Sequence, residues 1–211
     1  MPTNRLLTDE DREALDGIIF DMWGACEGTM RRKIQRANVQ QAFILNYILH
    51  LIKTIEDPKI LSVGCFEDTA YEYLRKKSID LVGIDPVINY DLRTYINNGR
   101  EPFDIVFATS VLEHVEDDEG FIADICELLK PNGYGILTMD FNNDYRVGDP
   151  LPVTDIRFYT KYDLEFRLTK ILTSHDCDLV DIPDWTGEPE FTHDGCNYSF
   201  STFVFRKIGN V

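Results

Sequence analysis

The hydrophobic rhythm of the chain changes at Pro58. Before it, apolar residues recur at helical spacing. In "TDEDREALDGIIFDMW" Leu15, Ile18, Ile19 and Met22 share one face, Thr8 is placed to cap, and acidic residues crowd the first turn. Gly24 and Gly28 predict the end of that helix, and a second is predicted over roughly Asn38 to Thr54, with an apolar face of Val39, Phe43, Leu45, Ile48, Leu49 and Ile52. After Pro58 short apolar runs alternate with helical patterns. "KILSV" reads as a strand and "DTAYEYLRKK" as a helix capped by Asp68. "IDLVGID" and "FDIVFATS" read as strands, and "DEGFIADICELLK" as a helix stopped by Pro131 and Gly133. "YGILTMD" is the next strand, and "TKYDLEFRLTKIL" a helix starting at Thr160 with Asp163 at the capping-box position. "CDLVDI" and "YSFSTFVFRK" close the chain as strands, the last alternating Phe200, Thr202 and Val204 against Ser201, Phe203 and Phe205.

Strands alternating with helices predict an α/β fold, a mostly parallel sheet covered on both faces. No internal repeat or low-complexity linker divides the chain. In such sheets ligands bind beyond the carboxyl ends of the strands, near the switch point of the strand order.

Composition narrows the function classes. With 211 residues the chain is long enough for one well-packed domain, and its 44% hydrophobic and 27% charged residues are ordinary for a globular protein. No apolar run approaches a membrane span, and the N-terminus lacks the cationic-then-apolar order of a secretory signal. Five cysteines, odd in number and never arranged as CxxC, read as reduced thiols in a cytoplasm. A formal charge of -16, from 37 acidic against 21 basic side chains, opposes a nucleic-acid partner but not a cationic ligand. The basic clusters Arg31-Arg32-Lys33 and Arg75-Lys76-Lys77 read as solvated helix ends.

Candidate chemistry gathers at strand ends. Gly64 follows "KILSV", and Asp85 closes "LVGID" 21 positions later. An acid at about that distance, roughly 20 residues on, accepts the ribose hydroxyls in nucleotide-binding βαβ units. Asp91-Leu92 follows a very short crossover, and "FDIVFATSVLEHV" ends in Ser110, Glu113 and His114. As a set these pieces resemble the class I S-adenosylmethionine-dependent methyltransferases. The strongest match is the order of strand, Glu-His, helix, Lys-Pro-x-Gly and strand in "FDIVFATSVLEHV" through "ELLKPNGYGILTMD". The resemblance covers roughly Lys59 to Lys207, and the short segment between Asp85 and Asp104 is similar to the branch with an abbreviated third strand and helix.

The resemblance implies a Rossmann-like doubly wound sheet with an antiparallel C-terminal strand, plus N-terminal helices. Residues 1–57 would be a helical lid and acceptor wall, and 58–211 the cofactor-binding domain, one compact unit. It implies S-adenosylmethionine as cofactor and a small-molecule acceptor, with oxygen favoured over nitrogen and a sugar or sugar nucleotide as the guess. Gly64 would admit the methionine part, with Cys65, Phe66 and Asp68 completing that turn. Asp85 would hold the ribose, and Asp91 the adenine amino group, with Pro86 and Leu92 against the ring. Thr109 and Ser110 would offer backbone to the methionine end.

The family's first turn is acid-x-Gly-x-Gly-x-Gly, whereas this chain reads Ser62-Val63-Gly64-Cys65-Phe66-Glu67-Asp68. Phe66 could crowd the cofactor tail or swing away and wall the pocket. Asp68 would repel a carboxylate and attract an ammonium. The reading adopted is that cofactor binding survives; a non-catalytic module of the same fold is the alternative, and a nicotinamide oxidoreductase is disfavoured by the missing glycine fingerprint.

Methyl transfer to a hydroxyl benefits from a base, and histidine suits neutral pH. His114 stands at the strand end beside the expected methyl group, and His193 on the loop leading into the last strand. Each has a plainer reading, as a loop brace and as turn chemistry. His50 and His175 read as structural. The oxygens of Asp140, Asn142, Asn143, Asp144 and Asp149 could hold a hard cation, but a polar loop bonded to itself is the favoured reading, and no metal site is assigned. Tyr145 and Trp185 read as loop aromatics able to stack on a ligand.

Overall fold

The computed structural model describes residues 1–99 and 101–209. In chain order the elements are β1 (Leu6–Leu7), α1 (Asp9–Ala14), α2 (Asp16–Met30), α3 (Asn38–Leu51), β2 (Ile60–Val63), α4 (Thr69–Lys76), β3 (Leu81–Ile84), α5 (Leu92–Asn97), β4 (Phe103–Thr109), α6 (Asp118–Leu128), β5 (Leu129–Phe141), α7 (Thr169–Ser174), β6 (Cys177–Leu179), β7 (Phe191–His193) and β8 (Cys196–Lys207). The sheet runs β1-β8-β5-β4-β2-β3. Its four strands from β3 to β5 are parallel, and β8 lies antiparallel on β5. The outer edge of β8 is covered by β1 and β6, and β7 forms a hairpin with β8's start.

Period-two alternation sends successive strand residues to opposite faces. Ile105 and Phe107 of β4, with Ile60, Ile136 and Val204, pack under α2, α3 and α4. Val106 and Ala108, with Leu61, Val63, Met139 and Phe203, pack under α5, α6 and α7. The sheet is thus doubly wound. Residues 1–57 are part of this unit: β1 is a strand of the sheet, and α3 contributes Ile44, Leu45 and Ile48 to the same core as the strands. Buried Asn4 ties the N-terminus down, donating to the Val204 carbonyl and accepting from its amide.

Several local expectations hold. Thr8 and Asp11 form a capping box on α1, Asp68 caps α4 through the Tyr71 amide at 2.8 Å, and Thr160 exchanges bonds with Asp163. Others hold in part or fail. α2 is interrupted at Cys26 (φ -124°, ψ 31°), between Gly24 and Gly28, so the glycines do mark a break. The helix then resumes to Met30, where Met22, Cys26 and Met30 bury one face and the two glycines face open space. That burial carries the chain on past the kink despite the roughly 1 kcal/mol propensity penalty of each glycine. α5 was not foreseen, since six residues carry too little periodicity. Among the described residues, 85–102 hold α5 and no strand. β5 begins at Leu129 rather than Tyr134, with a register shift against β4. Asp163–Leu168 is a π-helical turn, stabilised where the Thr169 hydroxyl reaches the Leu164 carbonyl at 2.7 Å. Trp185 sits on a loop, as expected, but is core and cannot stack on a ligand: it is 1% exposed, stacks on Phe203 and donates to the Thr202 carbonyl.

Candidate active site

A cleft of about 1010 Å³ opens at the carboxyl ends of β3, β2 and β4, the switch point of the strand order. That volume stands at the upper end of ligand pockets, which typically span roughly 300–1,000 Å³, and leaves room for two small molecules. Of the proposed cofactor contacts, Gly64, Phe66, Asp68, Asp85, Pro86, Asp91, Leu92, Thr109 and Ser110 line it. Cys65 does not. Its side chain is buried in an adjoining depression with Tyr71 and Glu72, and burial pushes the thiol up to about 11.

The turn after β2 explains how one glycine serves where three are usual. Gly64 has φ 80°, and a Cβ there would stand 2.4 Å from Val111 Cγ2. Glu67 takes a second left-handed position at φ 55°, a conformation uncommon for a residue with a Cβ. The Phe66 amide bonds Asp85 Oδ2 at 3.1 Å, which ties the turn to the end of β3. The Phe66 ring is 50% exposed along the cleft wall and leaves the cleft open.

Asp85 is 8% exposed, and its Oδ1 also holds the Val87 amide at 2.8 Å. Each oxygen therefore has one donor, and a carboxylate has acceptor positions to spare. Asp91 caps α5, accepting from the Thr94 amide and hydroxyl, and these bonds hold its carboxyl below the usual range. Asp68 is nearly fully buried, and burial pushes its carboxyl up. At the far end Arg93 pairs with Asp124 at 2.8 Å; burial still pushes Asp124 up to about 6.

Sequence reasoning expected a helical wall from residues 1–57 and named none of its residues. Arg32, Lys33, Ile34 and Ala37, with Gln40 and Gln41 of α3, line the cleft. Both glutamines are nearly fully buried, and neither Oε1 has a hydrogen-bond partner. Such orphaned polar groups fit a polar ligand. Arg32, read from sequence as a solvated helix end, bonds Glu67 at 2.8 Å across the cleft wall. The sequence signal available was two adjacent polar residues inside an otherwise apolar helix.

His114 lies in a short 3₁₀ turn after β4 and lines the cleft. Its Nδ1 is 3.0 Å from the Thr154 carbonyl and 3.4 Å from Asp155 Oδ1. Beneath it Glu113 is fully buried. It accepts the Ser110 hydroxyl at 2.6 Å, and burial pushes its carboxyl up to about 7. Ser110 itself has φ 53°, so this cleft residue is held in a strained conformation. His193 belongs to β7, paired with Cys196, rather than to a loop, and it does not line the cleft.

The polar loop after β5 satisfies itself. Asn142 accepts the Asp144 amide, Asp149 the Arg146 amide and Asn143 the Lys161 amide. Among the described residues no three His, Cys, Asp or Glu side chains are grouped to hold a metal, and no helix is long and apolar enough to cross a membrane.

Residues 30–182 match the family model described as a methyltransferase domain. The chain belongs to that family, within the class I S-adenosylmethionine-dependent methyltransferases, whose cofactor is S-adenosylmethionine. Among curated relatives, the human mitochondrial ubiquinone biosynthesis O-methyltransferase is 33% identical over 103 residues, 38% of this chain and 28% of its own length. The chain thus spans well under half of that relative. Among solved structures, the Burkholderia thailandensis 1,6-didemethyltoxoflavin-N1-methyltransferase, with 1,6-didemethyltoxoflavin and S-adenosylhomocysteine bound, superposes with a TM-score of 0.54 at 15% identity, covering 96% of this chain and 92% of that one. The [4+2]-cyclase SpnF superposes with a TM-score of 0.55 at 14% identity, covering 84% and 85%. At those identities both show the fold alone.

Proposed function

We propose that this protein transfers a methyl group from S-adenosylmethionine to a hydroxyl of a small molecule. The observation that carries the reading is the coincidence, in one cleft, of Gly64, Asp85 and Asp91 with His114. Bound there, the cofactor supplies a methyl group on a sulfonium, an electrophile open to an oxygen lone pair. Asp85 would hold the ribose hydroxyls and Asp91 the adenine amino group, with Leu92 and Pro86 against the ring. Ser110 and Thr109 would meet the amino-acid end. The acids around the cleft, among them Glu67, Asp68 and Asp117, favour a cation.

The helical wall of residues 32–41 would close the acceptor side, which supports giving the segment 1–57 that role. His114 would take the proton of the acceptor hydroxyl. Alignment of the reacting atoms supplies much of the acceleration in such a displacement, and a positioned base typically adds about 10²–10⁴-fold. The curated relatives are named for O-methylation in ubiquinone biosynthesis, which favours oxygen as the methylated atom and gives no support to a sugar. The compartment proposed is the cytoplasm, from five free cysteines.

The test is calorimetry with S-adenosylhomocysteine, followed by detection of its release from S-adenosylmethionine with panels of phenolic and sugar hydroxyl acceptors. Binding and turnover on one panel support the proposal. Binding without turnover on any acceptor removes the methyl-transfer reading; the fold does not by itself dictate methyl transfer, as the neighbour named for a cyclase activity shows. No binding of either form of the cofactor overturns the proposal and leaves only the non-catalytic module.

A further inference from the structure

Three buried carboxyl groups lie behind His114: Glu113 beside it, Asp140 at the end of β5, and Asp155 on the loop that follows. Asp155's side chain is 4% exposed, whereas the His114 ring beside it is 38% exposed. Neither Asp140 Oδ1 nor Asp155 Oδ2 meets an N–H or hydroxyl donor. Burial and the charges of Glu113 and Asp155 push Asp140 well up, and burial pushes Asp155 up as well. Tyr198 of β8 lies close enough to feel the charge of Asp140, and His193 close enough for its charge to act on Asp155.

Asp155 Oδ1 has two cleft-lining neighbours, the His114 ring and the Thr154 hydroxyl, which donates to it at 3.3 Å. A carbonyl and a carboxylate both stand at Nδ1, and neither can donate; Nδ1 must therefore carry the hydrogen, which leaves Nε2 unprotonated in the neutral ring. The backing of a solvent-facing imidazole by a buried acid is the arrangement that fixes tautomer and steadies the imidazolium in hydrolytic triads.

We propose that Asp155 is a positioning residue for His114: with the Thr154 carbonyl it fixes the ring as the Nδ1–H tautomer, and it balances the charge gained when Nε2 accepts a proton. The inference rests on the reading of His114 as the base. The proton taken by Nε2 comes from the acceptor hydroxyl and leaves afterwards to water.

The test reads the ring directly, in protein labelled with ¹⁵N-histidine, from two-bond ¹H–¹⁵N correlations assigned with His114→Gln. In the unaltered protein the neutral His114 ring is expected as Nδ1–H. In Asp155→Asn the share of the neutral ring held as Nδ1–H is expected to fall at least about threefold against Nε2–H, and to be retained in Asp155→Glu. An Nε2–H tautomer in the unaltered protein overturns the assignment, and needs no variant to fold. An unchanged tautomer ratio in a folded Asp155→Asn overturns it as well. Unchanged turnover in His114→Gln would instead overturn the base reading, and with it the purpose given to Asp155, while the spectra stand apart from turnover.

Discussion

The Asp85 carboxylate already holds the Phe66 and Val87 amides, so substitutions there separate structure from binding. Asp85→Asn keeps one acceptor oxygen and is expected to lose roughly 10- to 100-fold in S-adenosylhomocysteine affinity, from weaker bonds to the ribose, with a small change in melting temperature. Asp85→Ala strands two amides and should also lower stability, by about 1–3 kcal/mol. Calorimetry and melting curves on the two variants distinguish the effects; equal affinity in Asp85→Asn would remove the ribose assignment. Glu113 offers a test by pH. Its folded-state carboxyl titrates at about 7, above the ordinary glutamate range, so the folded state binds its proton more tightly than the unfolded one. Stability is therefore expected to decline as pH rises from about 4.5 through 7, by roughly 2–3 kcal/mol in all. Glu113→Gln, which can still accept from Ser110, should flatten that decline in denaturant titrations run across the same window.

At the scale of single elements, the turn from β2 into α4 is held by close approach. Gly64→Ala adds both a left-handed alanine, costing about 1–2 kcal/mol, and a clash with Val111, costing about 1–3 kcal/mol. The double variant with Val111→Ala should recover the second cost and not the first. A double-mutant cycle on denaturation free energies checks this, and full recovery would show that the backbone angle is not strained. The caps of this region were legible because each uses a short polar side chain at a fixed offset from its amide, as Asp68 does with Tyr71. The glycines of α2 were half a signal. The helix is kinked at Cys26 between them, and what resumes it is the burial of Met22, Cys26 and Met30 against α3, α4 and the sheet, which no local window contains.

For the molecule as a whole, the segment 1–57 shares a core with the sheet. Removing it would uncover Ile60, Ile105, Phe107, Ile136 and Val204 together and leave β8's outer edge at Phe200 and Ser201 without β1. A fragment of residues 58–211 is accordingly expected to lack a cooperative unfolding transition by circular dichroism. A sharp transition near that of the full chain would show that the N-terminal helices are dispensable for folding. The charge of -16 acts at this scale too, as a field that gathers cations toward an acidic cleft.

Strand and helix alternation, the capping residues, Gly64 and the acid closing the next strand were all determined by the sequence, because each rests on spacing within a few tens of residues. Tertiary structure alone decided the rest. Gln40 and Gln41 meet the cleft only once α3 lies across the sheet, and Asp155 reaches His114 from 41 positions away only because the loop after β5 folds back over the end of β4. A carboxylate's partner depends on what stands a few ångströms off in space, and the order of residues along a chain does not state that distance.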